Sequence, residues 1–309
     1  VHRRAFLTAG LVCAPLALAG CSPQAPMPGA TASATPSRSP YVAQVPAPGL
    51  YTNLVDEGSR AQLRHILDAC GIPPERSDLL DSHIQRYHDS VDTSQLASGF
   101  HSLASDPPAY DAYALQARWD ATNPDFPGWN CRLTTVGLAG HLVTVTGSVE
   151  PDAPDLLDLD RLTLEVDPTA LPDQGDRARF DALYTCVRSV ADTQVGPHIE
   201  RMTTVWKERG LSFVEDPRVR LLSVVLHSRV ETDLLLIGHA GVLLVGQGGE
   251  LHLIEKLAFP EPYQLTTFSS REEINEVLMT RYDVDTTGEV APPFIMDNGA
   301  LMEGYRRLT

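Results

Sequence analysis

Trp129-Asn130-Cys131-Arg132 runs directly into the apolar segment Leu133 to Val145, and far downstream Ile237-Gly238-His239-Ala240-Gly241-Val242 leads on to Leu251-His252-Leu253-Ile254-Glu255-Lys256. The first stretch reads as a buried helix that opens on a thiol. Asn130 stands where an N-cap belongs, its side-chain oxygen accepting an early helix N–H. Cys131 is then the first helical residue, at the partial positive end of the helix dipole, which favours a thiolate over a thiol. Val136, Leu138 and Leu142 carry the apolar helix on through Val145. The plainer alternative is an ordinary core cysteine, a common fate for this residue type.

The second stretch belongs to a β region. Val219 to Ser228, Asp233 to Val245 and Leu251 to Phe259 are rich in Val, Leu and Ile, and polar or glycine-rich turns separate them. That pattern predicts a three-stranded antiparallel meander. His239 interrupts its strand between Gly238 and Gly241, small residues that let a ligand or another backbone come close. Taken alone, it fits better a histidine satisfied by a backbone carbonyl. Matching of the buried face sets register. With His239 opposite Glu255, the residues Gly241, Leu243 and Val245 share an apolar face with Leu253, Leu251 and Gly249. A carboxylate there would orient the ring and stabilise its protonated form. His252 is expected on the opposite face and is the alternative orienter if a bulge shifts the hairpin.

Outward from these two stretches, the sequence predicts a helix after Asp56-Glu57-Gly58-Ser59, with Ser59 and Gln62 as a capping box, and a second from Ser77. A short helix is expected over 110–119. Residues 147–175 are acidic and proline-punctuated, with one alternating strand over 162–167. Two helices are expected over 176–191 and 198–209. Ser270-Arg271-Glu272-Glu273 opens a helix to Tyr282, and a last strand and hairpin surround Asp297-Asn298-Gly299. The fold class expected is α+β, helices packed on an antiparallel sheet, in one domain over 50–309.

The 309 residues are 43% apolar and carry a formal charge of −16. That charge argues against a nucleic-acid partner, whose phosphates call for Lys and Arg. Residues 1–21 have the form of an export signal: paired Arg3 and Arg4, a short apolar centre and small residues before Cys21. Residues 22–49 are rich in Pro, Ala, Ser and Thr and cannot bury enough apolar surface to offset ordering. They are expected to form a tether reaching on the order of 30 Å. Cys70 and Cys186 sit on apolar helix faces, either as a disulfide or as plain core, and neither has a helix-start position. Neither Cys-x-x-Cys nor His-Glu-x-x-His occurs, so neither a metal nor another cofactor is expected. Asp155, Asp158 and Asp160 lack the pattern of a calcium loop and read as a solvated segment.

Several of these motifs carry resemblances. Arg3-Arg4-x-Phe6-Leu7 resembles a twin-arginine signal, and Leu18-Ala19-Gly20-Cys21 resembles a bacterial lipobox. The two imply export of a folded protein and a lipid on Cys21, which would anchor the chain on the extracytoplasmic face of the membrane. A cysteine opening a buried helix, a later His-x-Gly-Val strand and a polar residue on the next strand resemble the NlpC-type papain-like superfamily. Its members are mostly cell-wall peptidases and amidases, with acyltransferase relatives. The usual third residue there is His, Asn or Gln, and Glu255 departs from that. Tyr51-Thr52-Asn53-Leu54-Val55, Asn130-Cys131-Arg132-Leu133-Thr134 and Ile254-Glu255-Lys256-Leu257-Ala258-Phe259 with Glu261-Pro262-Tyr263-Gln264 resemble a family of uncharacterised bacterial surface lipoproteins, a domain of unknown function (number 4300). The expectation is a cysteine hydrolase acting on a wall-associated amide. Cys131 would be its nucleophile, His239 its base and Glu255 its orienter, with the Cys131 N–H and, if free, Asn130 as oxyanion donors. The competitors are a non-catalytic binding or scaffolding module on the same fold and an acyltransferase.

Overall fold

The computed structural model describes residues 48–308. Arg3, Arg4, Cys21 and nearly all of the tether lie outside those residues. The described elements run β1 (Leu50–Thr52), α1 (Glu57–Cys70), α2 (Pro74–Ser90), β2 (His101–Ser102), α3 (Ala112–Thr122) and α4 (Cys131–Ala139). They continue with β3 (Val143–Val145), α5 (Asp158–Val166), α6 (Asp176–Tyr184), β4 (Val187–Arg188), α7 (Val195–Glu208) and β5 (Leu211–Phe213). The last part holds β6 (Val219–Ser228), β7 (Leu234–Val245), β8 (Leu251–Lys256), β9 (Tyr263–Phe268), α8 (Arg271–Tyr282), β10 (Phe294–Asp297) and β11 (Ala300–Leu301).

The architecture is α+β, as expected: helices pack on an antiparallel sheet of order β11-β10-β6-β7-β8-β9-β1-β2, with β4 also pairing β7. Alternation along the central strands gives the sheet two buried faces. On one, Leu221, Val242, Leu244 and Ile254 meet Leu67, Ile84, Leu133 and Val136 from α1, α2 and α4. On the other, Leu222, Val224, Leu243 and Leu253 meet Ile274, Val277, Leu278 and Met279 of α8. The chain therefore sandwiches its sheet, with α4 on one side and α8 on the other.

One residue breaks the alternation. The β6–β7 register shifts between Val224 and Val225, which pair with His239 and Ile237, so Gly238 is an extra residue in β7. Such a bulge moves every later side chain to the other face. Before it, odd-numbered Leu235 and Ile237 pack with the α4 side; after it, even-numbered Ala240, Val242 and Leu244 do. His239 is thereby placed on the α8 face, beside Val224. Glycine is needed at the bulge because a Cβ there would lie 2.4 Å from Leu226 Cδ1.

Several expectations are corrected. The β7–β8 ladder pairs Val242 with Ile254 and Val245 with Leu251, so the register lies two residues from the one expected, and Gly241 rather than His239 falls opposite Glu255. A shift of two keeps the faces, so His239 and Glu255 still share a side. The helix beginning at Cys131 stops at Ala139 instead of reaching Val145. The Gly140 N–H closes the last turn on Val136 O, and a 3-10 turn over Gly140–Leu142 follows, while buried Arg76 Nη1 also donates to Val136 O (3.0 Å) and Gly137 O (2.6 Å). Val143–Val145 then pairs with β5. Of residues 162–167, expected as a strand, 162–166 belong to α5 and Asp167 is its C-cap, because Asp160, Thr163 and Leu164 bury one helical face while Leu162 and Val166 stay exposed. Helix α6 ends at Tyr184, where the chain turns into β4. Helix α1 is capped by Asp56, whose carboxylate accepts from Ser59 N at 2.8 Å, so Ser59 lies inside the helix. Helix α2 starts three residues earlier than expected, at Pro74, a position where proline's missing N–H has no partner to lose.

Candidate active site

Three elements bring the expected residues together. Asn130 has extended backbone and accepts from Leu133 N at 3.0 Å, which makes it the N-cap of α4 and Cys131 the first helical residue. The opposite face of Asn130 is also tied: its Nδ2 donates to Asp160 Oδ1 at 2.7 Å. Asn130 thus caps the helix through its oxygen, the case in which the sequence offered it no oxyanion role, while its Nδ2 keeps a second hydrogen beyond the Asp160 bond. The Cys131 backbone N–H, at the first helical position, has no acceptor within its own helix.

The β7–β8 pairs begin at Val242 and Ile254, so His239 to Gly241 lie just past the paired residues. Here α4 meets β7. The Arg132 Nη1 donates to Ile237 O at 3.3 Å, and the Ala240 N–H acts on the Cys131 sulfur. From the α8 face, His239 Nε2 bonds Glu255 Oε2 at 2.6 Å. That leaves Nδ1, which is buried and has no partner of standard hydrogen-bond geometry. The Cys131 thiol and the imidazole shift each other's ionisation, with no hydrogen bond of standard geometry between them. Loose nucleophile–base contacts are usual before substrate arrives. All three groups are buried, with Cys131 5%, His239 2% and Glu255 1% exposed.

The electrostatics follow from this arrangement. Burial favours the neutral thiol, yet the hydrogen bond and charge of His239, the Arg132 charge and the Ala240 N–H together hold the Cys131 pKa below the ordinary thiol value. Burial likewise opposes a charged His239, but Cys131 and Glu255 raise it to about 9. Glu255 is buried too and still drops to about 2, first through the Arg281 charge and then through its bond to His239. The other two cysteines behave oppositely. Cys70 and Cys186 are free and buried, and burial raises both, Cys186 to about 11. Among the three thiols of the described residues, Cys131 is the one tuned toward thiolate.

His252 is not part of this group. It stands opposite Leu244 and bonds Thr267 Oγ1 through Nδ1 at 2.9 Å, far along β8 and on the other face, so it does not orient His239. Three contributors were missed. Asp160, read as solvated, is 1% exposed and accepts from Asn130 and from Arg132 Nε (3.1 Å) and Nη2 (2.6 Å). Arg281 sets its Nη1 at 3.2 Å from both oxygens of Glu255, and Tyr282 stacks on His239 with ring centroids 5.4 Å apart. A helical reading of residues 158–166 would have placed Asp160 on the apolar face. Arg281 gave no such signal, because a basic residue in the last turn of a helix is ordinary dipole complement.

No helix of the described residues is long and apolar enough to cross a membrane. No curated protein and no solved structure matches the chain. The family model described as Domain of unknown function (DUF4300) matches residues 50–302, which contain Cys131, His239, Glu255 and Arg281. The chain belongs to the DUF4300 family.

Proposed function

We propose that this chain is an exported, lipid-anchored cysteine hydrolase with a papain-like, NlpC-type core, acting on an amide of the cell wall. The observation that carries this reading is a buried histidine bonded to Glu255 through Nε2, with Nδ1 unpartnered, coupled electrostatically to a helix-start thiol whose pKa is lowered. Nucleophile, base and orienter stand in the order that acyl transfer requires. The Cys131 thiolate attacks the carbonyl carbon, and the new oxyanion takes the Cys131 N–H as one donor. His239 gives its proton to the leaving amine as the C–N bond breaks, which leaves a thioester on Cys131. Water, deprotonated by His239, then cleaves the thioester and restores the thiolate. Arg3, Arg4, the lipobox at Cys21 and the tether support placement on the extracytoplasmic face of the membrane, within reach of wall peptide.

A non-catalytic binding module on the same fold is favoured by one observation, the burial of all three groups. Alkylation separates the two readings. In the hydrolase, iodoacetamide at pH 6 labels Cys131 of the folded full chain faster than Cys70, Cys186 or the thiols of the denatured chain, and Cys131→Ala abolishes amine release from wall peptides. Equal, slow labelling of the three thiols, with no amine released by the unaltered chain, would overturn the hydrolase.

A further inference from the structure

We propose that Arg281, in the last turn of α8, is a positioning residue of this site: it holds Glu255 ionised and aims one of its oxygens at His239. The proposal rests on the reading of Glu255 as the orienter of His239. A carboxylate that is 1% exposed and bonded to one imidazole has two ways to sit. It can be charged beside an imidazolium, or the proton can lie on the carboxyl with a neutral ring beside it. Burial penalises the charged arrangement, and the neutral one ends the pull that His239 exerts on the thiol. A third charge decides between them.

Arg281 supplies that charge. Its Nη1 is 3.2 Å from both Oε1 and Oε2 of Glu255, and its side chain is 13% exposed. His239 takes Oε2 at 2.6 Å. Arg281, Glu255, His239 and Cys131 thus alternate in sign along one buried line from α8 to α4. Each charge has opposite neighbours, and like charges are separated by an intervening group. Among the described residues, Arg281 and His239 are the cationic side chains in salt-bridge range of Glu255. The same turn also sets the ring: Tyr282 stacks on His239 at an interplanar angle of 22°, and the Arg281 Cζ lies 5.9 Å from the Tyr282 ring centroid.

The remaining charged groups nearby do not substitute for Arg281. Glu261 bonds the Tyr110 hydroxyl at 2.6 Å, and burial raises its pKa. Lys256 directs its Nζ at Ala258 O (2.7 Å), Phe259 O (3.0 Å) and Glu261 O, and Arg132 is paired with Asp160. The depressed value of Glu255 has the Arg281 charge as its largest favourable cause.

The test is the protonation of Glu255, read by difference infrared spectroscopy on the full chain. The buried carboxylic C=O band that grows on acidification is assigned by its loss in Glu255→Gln. In the unaltered protein its midpoint should fall at about 2. In Arg281→Met its midpoint should rise by at least about one pH unit, tenfold in proton affinity, and Arg281→Lys should restore most of the difference. A midpoint unmoved in Arg281→Met would overturn the proposal, because a purely structural arginine would change stability without changing that band. Should Arg281→Met fail to fold, Arg281→Gln, which keeps a polar head without the charge, decides: the midpoint should again rise by at least about one pH unit, and an unchanged midpoint overturns the proposal. The readout involves neither the thiol nor turnover. A shifted Glu255 band with an unreactive Cys131 would therefore sustain the role of Arg281 and refute the hydrolase.

Discussion

Asp160→Ala is the sharpest test of how the helix start is held. The native carboxylate is buried and accepts from Asn130 Nδ2, Arg132 Nε and Arg132 Nη2 at 2.7, 3.1 and 2.6 Å. Removing it leaves the Arg132 guanidinium, 17% exposed, with Ile237 O at 3.3 Å. Deleting one partner of a buried pair costs about 3–5 kcal/mol, and the residual exposure of Arg132 places this case at the low end, about 3 kcal/mol. Loosening of the Asn130 cap adds up to about 1 kcal/mol. With a urea slope of about 2–3 kcal/mol per molar, the unfolding midpoint should fall by roughly 1 M or more. The control is Arg132→Met with Asp160→Leu, which removes both charges together; it should cost less than about half of the single change, since an apolar pair of similar volume is often near neutral. A midpoint for Asp160→Ala within about 0.3 M of the unaltered protein would refute the view that this pair anchors α4.

Gly238→Ala should cost about 1–3 kcal/mol through overpacking, because its Cβ would fall 2.4 and 2.7 Å from Leu226 Cδ1 and Cγ. Adding Leu226→Ala should recover part of the loss in the same denaturation assay, and no loss in the single variant would contradict the packing. The stability difference between the unaltered protein and Glu255→Gln should be a plateau in pH with two falling sides. The Glu255 contribution is present above its unfolded value of 4.5 and lost as pH falls toward about 2. The His239 contribution is present below its unfolded value of 6.5 and lost as pH rises through about 9. The difference should therefore be largest between 4.5 and 6.5, and a pH-independent difference in chemical denaturation would contradict a charged pair.

What was legible in the sequence was whatever local chemistry decides. Asn130 before an apolar run marked the start of α4, and Ser270 marked that of α8. The strands β6 and β7 announced themselves by composition, and apolar matching put His239 and Glu255 on one face even though the register was two residues off. What was illegible depended on partners distant in sequence. Arg76 binds the last turn of α4 and Asp160 ties Asn130, while the charge on Glu255 answers to Arg281. Residues 162–167 misled because period two and a one-sided helix overlap over so short a span. Strand β9 was passed over because prolines at 260 and 262 made its start look like loop.

The extra residue in β7 ties chain length to chemistry. Sliding the strand to absorb a deletion at Gly238 would either turn the imidazole toward the helices or carry Leu235 and Ile237 out of the packed interior. Neither half can give way alone. A β7 shortened there could not keep both the imidazole on the α8 face and Leu235 and Ile237 in the core.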